Sequence, residues 1–128
     1  DTLYACWRNH DAEAVLECFT DDCVYEDMAM RVVNRGKQEL SGFVEQVFTA
    51  MPDFNVQHTL RFATETYGCG QWVISATWNG PYEGVDKTGT KVRFTGLALY
   101  EFRDGKISST IDCWDPTVLI EQFGPKPG

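Results

Sequence analysis

The order of the hydrophobic periodicities constrains this chain most: apolar steps of three and four residues come first, and period-two segments fill the second half. Leu3, Cys6, Trp7, Val15, Leu16 and Phe19 recur at helical spacing, interrupted by Arg8-Asn9-His10-Asp11, so this stretch reads as two short helices. Asp11 is the expected N-cap of the second, because its carboxylate can accept from a free first-turn N–H. Ala14 at the third helical position leaves the capping box incomplete. Residues 23–28 then alternate as a short strand, with Tyr25 and Asp27 on one face and Glu26 on the other. Gly36 opens a helix striped by Leu40, Phe43, Val44, Val47 and Phe48, and Pro52 marks its stop. Four β-rich segments follow, at 54–62, 71–79, 92–102 and 107–114. They are separated by Gly68-Cys69-Gly70, by Gly80-Pro81 with Lys87-Thr88-Gly89, and by Asp104-Gly105, which reads as a tight hairpin. Pro116 permits a last helical segment over 117–123, before a loose Gly124-Pro125-Lys126-Pro127-Gly128 tail. Helices followed by an unbroken run of strands predict an α+β fold, since a parallel sheet would need alternating strands and helices.

A chain of 128 residues and 14.5 kDa suits one domain over 1–128. Its 43% hydrophobic and 13% aromatic content is enough to offset the entropy of ordering a chain of this size. A net charge of −8 repels phosphate backbones and anionic lipid, which argues against nucleic acid and membrane surfaces as partners. No apolar run reaches the length of a membrane span and no basic, apolar-cored leader opens the chain. The start at Asp1, without Met, leaves room for residues that preceded it. Five cysteines at irregular spacing read as reduced thiols of a cytoplasmic protein rather than a disulfide framework. With two histidines and no CxxC or HExxH spacing, no metal site is expected.

Asp112 is the most informative ionisable residue. It interrupts Ile107-Ser108-Ser109-Thr110-Ile111, and strand alternation puts it with Thr110 and Trp114, opposite Ile107, Ser109, Ile111 and Cys113. A carboxylate beside an aromatic ring can be desolvated, which raises its pKa and fits it for proton transfer near neutrality. A solvated carboxylate at a strand end, or a cap for the helix near Pro116, accounts for the same pattern. Asp27 is the second candidate, on the same face as the Tyr25 phenol, which can orient a substrate or donate to an oxyanion; an exposed strand end is the alternative. Trp7, Phe43, Val47, Trp72, Trp78 and Trp114 are packing residues by default, yet together they could line a pocket marked by Tyr25, Thr77, Asn79 and Asp112. His10 and His58 read as structural or exposed, and no Ser, Cys or Thr sits in a nucleophile signature such as GxSxG.

Several short motifs occur in a telling order: Asn9-His10-Asp11, then the run from Phe19-Thr20-Asp21-Asp22 to Tyr25-Glu26-Asp27, and Arg35-Gly36-Lys37. Pro52-Asp53-Phe54, Gly84 with Thr88-Gly89, Asp104-Gly105-Lys106-Ile107 and Asp112-Cys113-Trp114-Asp115 complete the set. In this order, over nearly the whole chain, they resemble the SnoaL-like polyketide cyclase family of the nuclear transport factor 2-like superfold. That resemblance implies a cone-shaped α+β barrel: a strongly curved, mostly antiparallel sheet covered by N-terminal helices, with an open sheet face that pairs with a second copy as a homodimer. It implies that Asp112 is the general acid/base of an intramolecular aldol closure needing no cofactor, on a mostly apolar carbonyl compound. This chain departs from such cyclases at three positions: Trp7 replaces the aromatic residue expected on the first helix, Ala98 stands where a histidine is expected, and Phe43 where a polar helix residue is expected.

Limonene-epoxide-hydrolase-like relatives match at Asp112 and Tyr25. Asp27 stands in place of their Asn, and Thr77 and Asn79 in place of their Arg and second Asp. Steroid-isomerase-like relatives match at Asp27 as base, but their oxyanion pair falls at Leu3 and Ala98, which cannot donate, and one such donor is typically worth about 2.7–4 kcal/mol. The expected site is therefore Asp112, Asp27 and Tyr25 as acid/base groups, with Trp7, Phe43, Val47, Thr77, Trp78, Asn79, Ala98 and Trp114 around the substrate. The expected activity is aldol cyclisation or isomerisation. Epoxide hydrolysis, or a non-catalytic module that binds a hydrophobic ligand or partner, is the alternative.

Overall fold

The computed structural model describes residues 2–124, with side chains from Ala5 onward; the Leu3 side chain and the tail beyond Gly124 lie outside the described residues. Two short helices, α1 (Thr2–Arg8) and α2 (Ala12–Glu17), open the chain. Asp11 caps α2 through a bond from the Ala14 N–H at 3.1 Å. Between them His10 takes a left-handed backbone, stacks on Phe48 at 4.8 Å and bonds the Phe54 carbonyl through Nε2 at 2.9 Å. Strand β1 (Phe19–Asp27) starts earlier than its period-two pattern suggests, because Phe19 continues the helical stripe in sequence but packs as the first buried residue of the strand. Strand β2 (Val32–Arg35), which the sequence did not announce, folds back on β1 and leads into α3 (Gly36–Ala50).

The remaining strands are β3 (Asn55–Ala63), β4 (Tyr67–Thr77), the two-residue pair β5 (Pro81–Tyr82) and β6 (Val85–Asp86), β7 (Lys91–Arg103) and β8 (Lys106–Trp114). Helix α4 (Pro116–Phe123) closes the chain. The main sheet has the order β2-β1-β8-β7-β4-β3, antiparallel throughout except where β1 lies parallel to β8. The fold is thus α+β with a six-stranded, mostly antiparallel sheet. The parallel pair brings Asp27 directly beside Asp112, across 85 residues of sequence, and the antiparallel pair on the other side puts Ala98 next to Asp112.

Two sequence expectations are corrected here. Gly68-Cys69-Gly70 is not a turn but the start of β4, and the chain reverses just before it. A side chain at Gly68 would meet the Phe102 ring at 2.9 Å, so the glycine permits close packing. Ile107 does not face away from the core, because β8 carries a bulge: Phe102 pairs with Ile107 while Glu101 pairs with Ser109, and Ile107 is buried. Asp104 and Gly105, both with positive φ, form the expected tight turn between β7 and β8.

The best-buried core residues, Val15, Phe19, Cys23, Leu40 and Val44, pin α2 and α3 against β1. Facing them, Val92, Phe94, Gly96, Ala98 and Tyr100 line one face of β7 at the spacing of two that the pleat requires. Among the described residues no helix is long and apolar enough to cross a membrane.

Candidate active site

Between the helices and the inner face of the sheet lies a cavity of about 630 Å³. All four tryptophans and six further aromatic side chains line it. Its floor is β8, where Thr110, Asp112 and Trp114 face inward together, as alternation requires. Helix α3 contributes Phe43 and Val47, α1 contributes Trp7, and α4 closes the far end with Leu119 and Ile120.

Asp112 is only 9% exposed and accepts a short hydrogen bond from the Tyr25 hydroxyl. The Trp72 indole N–H also reaches it. Burial pushes the carboxyl up to about 7; the Tyr25 bond opposes this rise, the neighbouring Asp27 charge adds to it, and the Trp72 bond opposes it more weakly. Burial and the adjoining carboxylate push the Tyr25 phenol well above its ordinary value, so it remains a neutral donor. Asp27 is 6% exposed and accepts from Trp114 Nε1 at 3.0 and 3.2 Å and from the Met30 N–H at 3.0 Å. Its pKa is raised by burial, and the Met30 and Trp114 bonds hold back part of that rise. A carboxyl near its midpoint at neutrality, beside a second carboxyl and a neutral phenol in an apolar chamber, can both take and return a proton.

Trp7, Phe43, Val47, Trp78 and Trp114 all line the cavity with Tyr25, Asp27 and Asp112. Thr77 and Asn79 do not. Odd positions near the end of β4 point away from the side carrying Trp72, Ile74 and Trp78, so the same period of two that exposes Trp78 to the cavity turns its neighbours out. The Thr77 N–H donates to Asp53 at 2.6 Å, and Asn79 is exposed with its amide donating to the Thr49 carbonyl at 3.2 Å. Ala98 is fully buried beside Asp112 but does not line the cavity.

Three residues that the sequence did not single out shape the site. Gly96 faces Trp72 so closely that a Cβ there would overlap the indole, and only glycine lets Trp72 lie flat enough on β7 to reach Asp112. A lone glycine inside a long strand pattern was the available signal. Tyr100 lines the cavity from the position two beyond Ala98, a parity readable from the β7 pattern. Thr110 is 1% exposed, and its hydroxyl has no hydrogen-bond partner among the described residues. No group of His, Cys, Asp and Glu among the described residues is arranged to hold a metal ion.

The profile of the SnoaL-like polyketide cyclase family matches residues 1–123. The chain belongs to that family. Solved structures share the SnoaL-like fold at low identity. AclR from Streptomyces galilaeus, a candidate hydroxylase, superposes with a TM-score of 0.83 at 21% identity, covering 99% of this chain and 83% of its own. A Catenulispora acidiphila protein with a ketosteroid isomerase-like fold, solved with trimethylamine, gives 0.84 at 18%, covering 98% and 91%. IdmH from Streptomyces antibioticus, a candidate polyketide cyclase, gives 0.82 at 20%, covering 97% and 94%. No curated protein matches the chain in sequence. At these identities the likeness is one of fold, and the SnoaL-like site has to be read from its own residues.

Proposed function

We propose that this SnoaL-like protein catalyses cofactor-independent proton transfer on a mostly apolar carbonyl compound, as an aldol cyclisation or an isomerisation. The observation that carries this reading is Asp112: a buried carboxyl on the floor of an aromatic cavity, held by Tyr25 and poised at a pKa of about 7. The ionised Asp112 takes a proton from the carbon next to the carbonyl. The C–H pair moves into the new C=C bond, and the carbonyl oxygen becomes an enolate. In cyclisation the enolate carbon attacks a second carbonyl carbon, and Asp112 returns its proton to the resulting alkoxide; in isomerisation the proton returns to a more distant carbon. The unpartnered Thr110 hydroxyl is suited to the orienting role that Asn79, outside the cavity, cannot play. Asp27 serves as a second acid/base and, when charged, raises the proton affinity of Asp112.

Asp112→Asn keeps the size and an acceptor for Tyr25 but cannot move a proton, so turnover of a true substrate should fall by about 10²–10⁴-fold. The parent's rate should rise with pH through about 7. An Asn variant that turns substrate over at the parent rate would remove Asp112 from the mechanism and favour the alternative of a non-catalytic hydrophobic-ligand binder. Ala98, which offers no side-chain donor beside Asp112, is the observation on that side. Epoxide hydrolysis has less support, because Thr77 and Asn79, in place of its Arg and Asp, lie outside the cavity.

The outer sheet face supports assembly as a homodimer. Phe62, Cys69, Leu99 and Ile111 stand in one row across β3, β4, β7 and β8, with Phe62 66% and Leu99 49% exposed. Five free thiols suit a reducing, cytoplasmic setting.

A further inference from the structure

Charge in the cavity is one-sided. Among the described residues its lining includes the buried carboxyls of Asp27 and Asp112 but no Lys, Arg or His. Asp27 is buried with only N–H donors against it, and neither Asp27 nor Asp112 has an ion pair among the described residues. Burying a carboxylate without a cation is costly, and ten aromatic side chains, whose ring faces carry negative potential, line the same space. An anionic guest would meet repulsion from both, whereas an organic cation would be attracted by both. The net charge of −8 draws cations toward the protein from a distance. Thr110, buried with an unpartnered hydroxyl in the same lining, leaves one hydrogen-bonding position for a guest's polar group.

We propose that the natural ligand of this cavity carries a cationic nitrogen, a protonated or quaternary amine, that seats opposite Asp27 among the aromatic rings while its carbonyl end lies toward Asp112 and Thr110. This rests on the acid/base reading of the same cavity and narrows its substrate class. Carboxylated compounds are disfavoured guests.

The test uses two probes of nearly identical shape, 4-(trimethylammonio)phenol and 4-tert-butylphenol, titrated into the full chain at pH 7 and followed by tryptophan fluorescence and calorimetry. All four tryptophans line the cavity, so occupancy reports directly. The ammonium compound is expected to bind about ten-fold or more tightly than its neutral isostere. Asp27→Asn is expected to shrink that preference to about three-fold or less. The comparison on the unaltered protein stands even where the Asn variant does not fold. Equal binding of the two probes, or tighter binding of 4-tert-butylphenol, overturns the cationic ligand yet leaves proton transfer on an apolar substrate intact. A preference that survives Asp27→Asn in a folded variant overturns the seat opposite Asp27. If neither probe binds, the cation proposal falls and the cavity loses its support as the site.

Discussion

Asp112 owes its chemistry to neighbours that arrive from other strands. Burial raises its carboxyl from 3.8 to about 7, so the folded protein holds this proton more tightly than the unfolded chain does. The stability linked to it is complete below about pH 4 and is lost as pH climbs through about 7. Replacing it by Asn removes the cost of burying charge. Relative to the parent, Asp112→Asn should therefore gain about 2–3 kcal/mol of stability between pH 5 and pH 8, read by chemical denaturation at both values; two parallel pH profiles would show that the carboxyl is not the linked group. Gly96 makes a second residue-scale prediction. Gly96→Ala pushes the Trp72 indole off β7, which should cost about 1–3 kcal/mol through overpacking. It should also raise the Asp112 pKa further, since one of the donors that favour the carboxylate is withdrawn. Carbon-13 titration of the carboxyl measures that shift, and an unmoved midpoint would mean that Trp72 does not hold Asp112. The sequence made Asp112, Asp27 and Tyr25 visible through parity on two separate strands. It could not show that Trp72 crosses to Asp112, because that contact depends on an absent side chain at Gly96.

Among the elements, α4 is short and yet closes one end of the cavity. Asp115 caps it, accepting from the Thr117 N–H at 2.9 Å and the Thr117 hydroxyl at 2.7 Å, and those bonds hold the carboxyl below its ordinary range. Leu119 is buried against the core, while Phe123 packs on Trp78 at 5.2 Å and Tyr82 at 4.7 Å, tying the helix to the β5–β6 turn. Asp115→Ala should lower the Tm at pH 7 and loosen the cavity's closed end. The deficit should narrow as pH falls below the ordinary carboxylate value of about 4, where the unfolded chain takes up a proton that the capped carboxylate resists. Thermal scans at pH 7 and pH 3 decide this, and a constant deficit would mean that the ionised cap is not the cause. Pro116 and the apolar residues after it made α4 legible in the sequence. The edge strand β2 was not, because Val32-Val33-Asn34-Arg35 is too short to establish a period and is held as a strand by pairing with β1.

At the scale of the whole molecule, the sheet has one face on the cavity and one carrying the apolar rows of Leu60 and Phe62 on β3 with Leu97 and Leu99 on β7. A homodimer through that outer face should elute and scatter at about twice the 14.5 kDa chain mass. Leu99→Lys should return it to the single-chain mass with the fold retained by circular dichroism. A parent that scatters at 14.5 kDa at micromolar concentration would reject the assembly. What the sequence determined alone was local: helix and strand periods, caps, turns, and which residues share a strand face, because each depends on spacings within a few residues. The tertiary structure decided the rest. Only the parallel β1–β8 pairing brings Asp27 against Asp112, only the end of β4 decides that Trp78 faces the cavity while Thr77 and Asn79 turn out, and only the packing of the aromatic lining around Asp112 buries its carboxyl. A carboxylate's proton affinity is set by everything within a few ångströms of it, and those neighbours are distant in the chain.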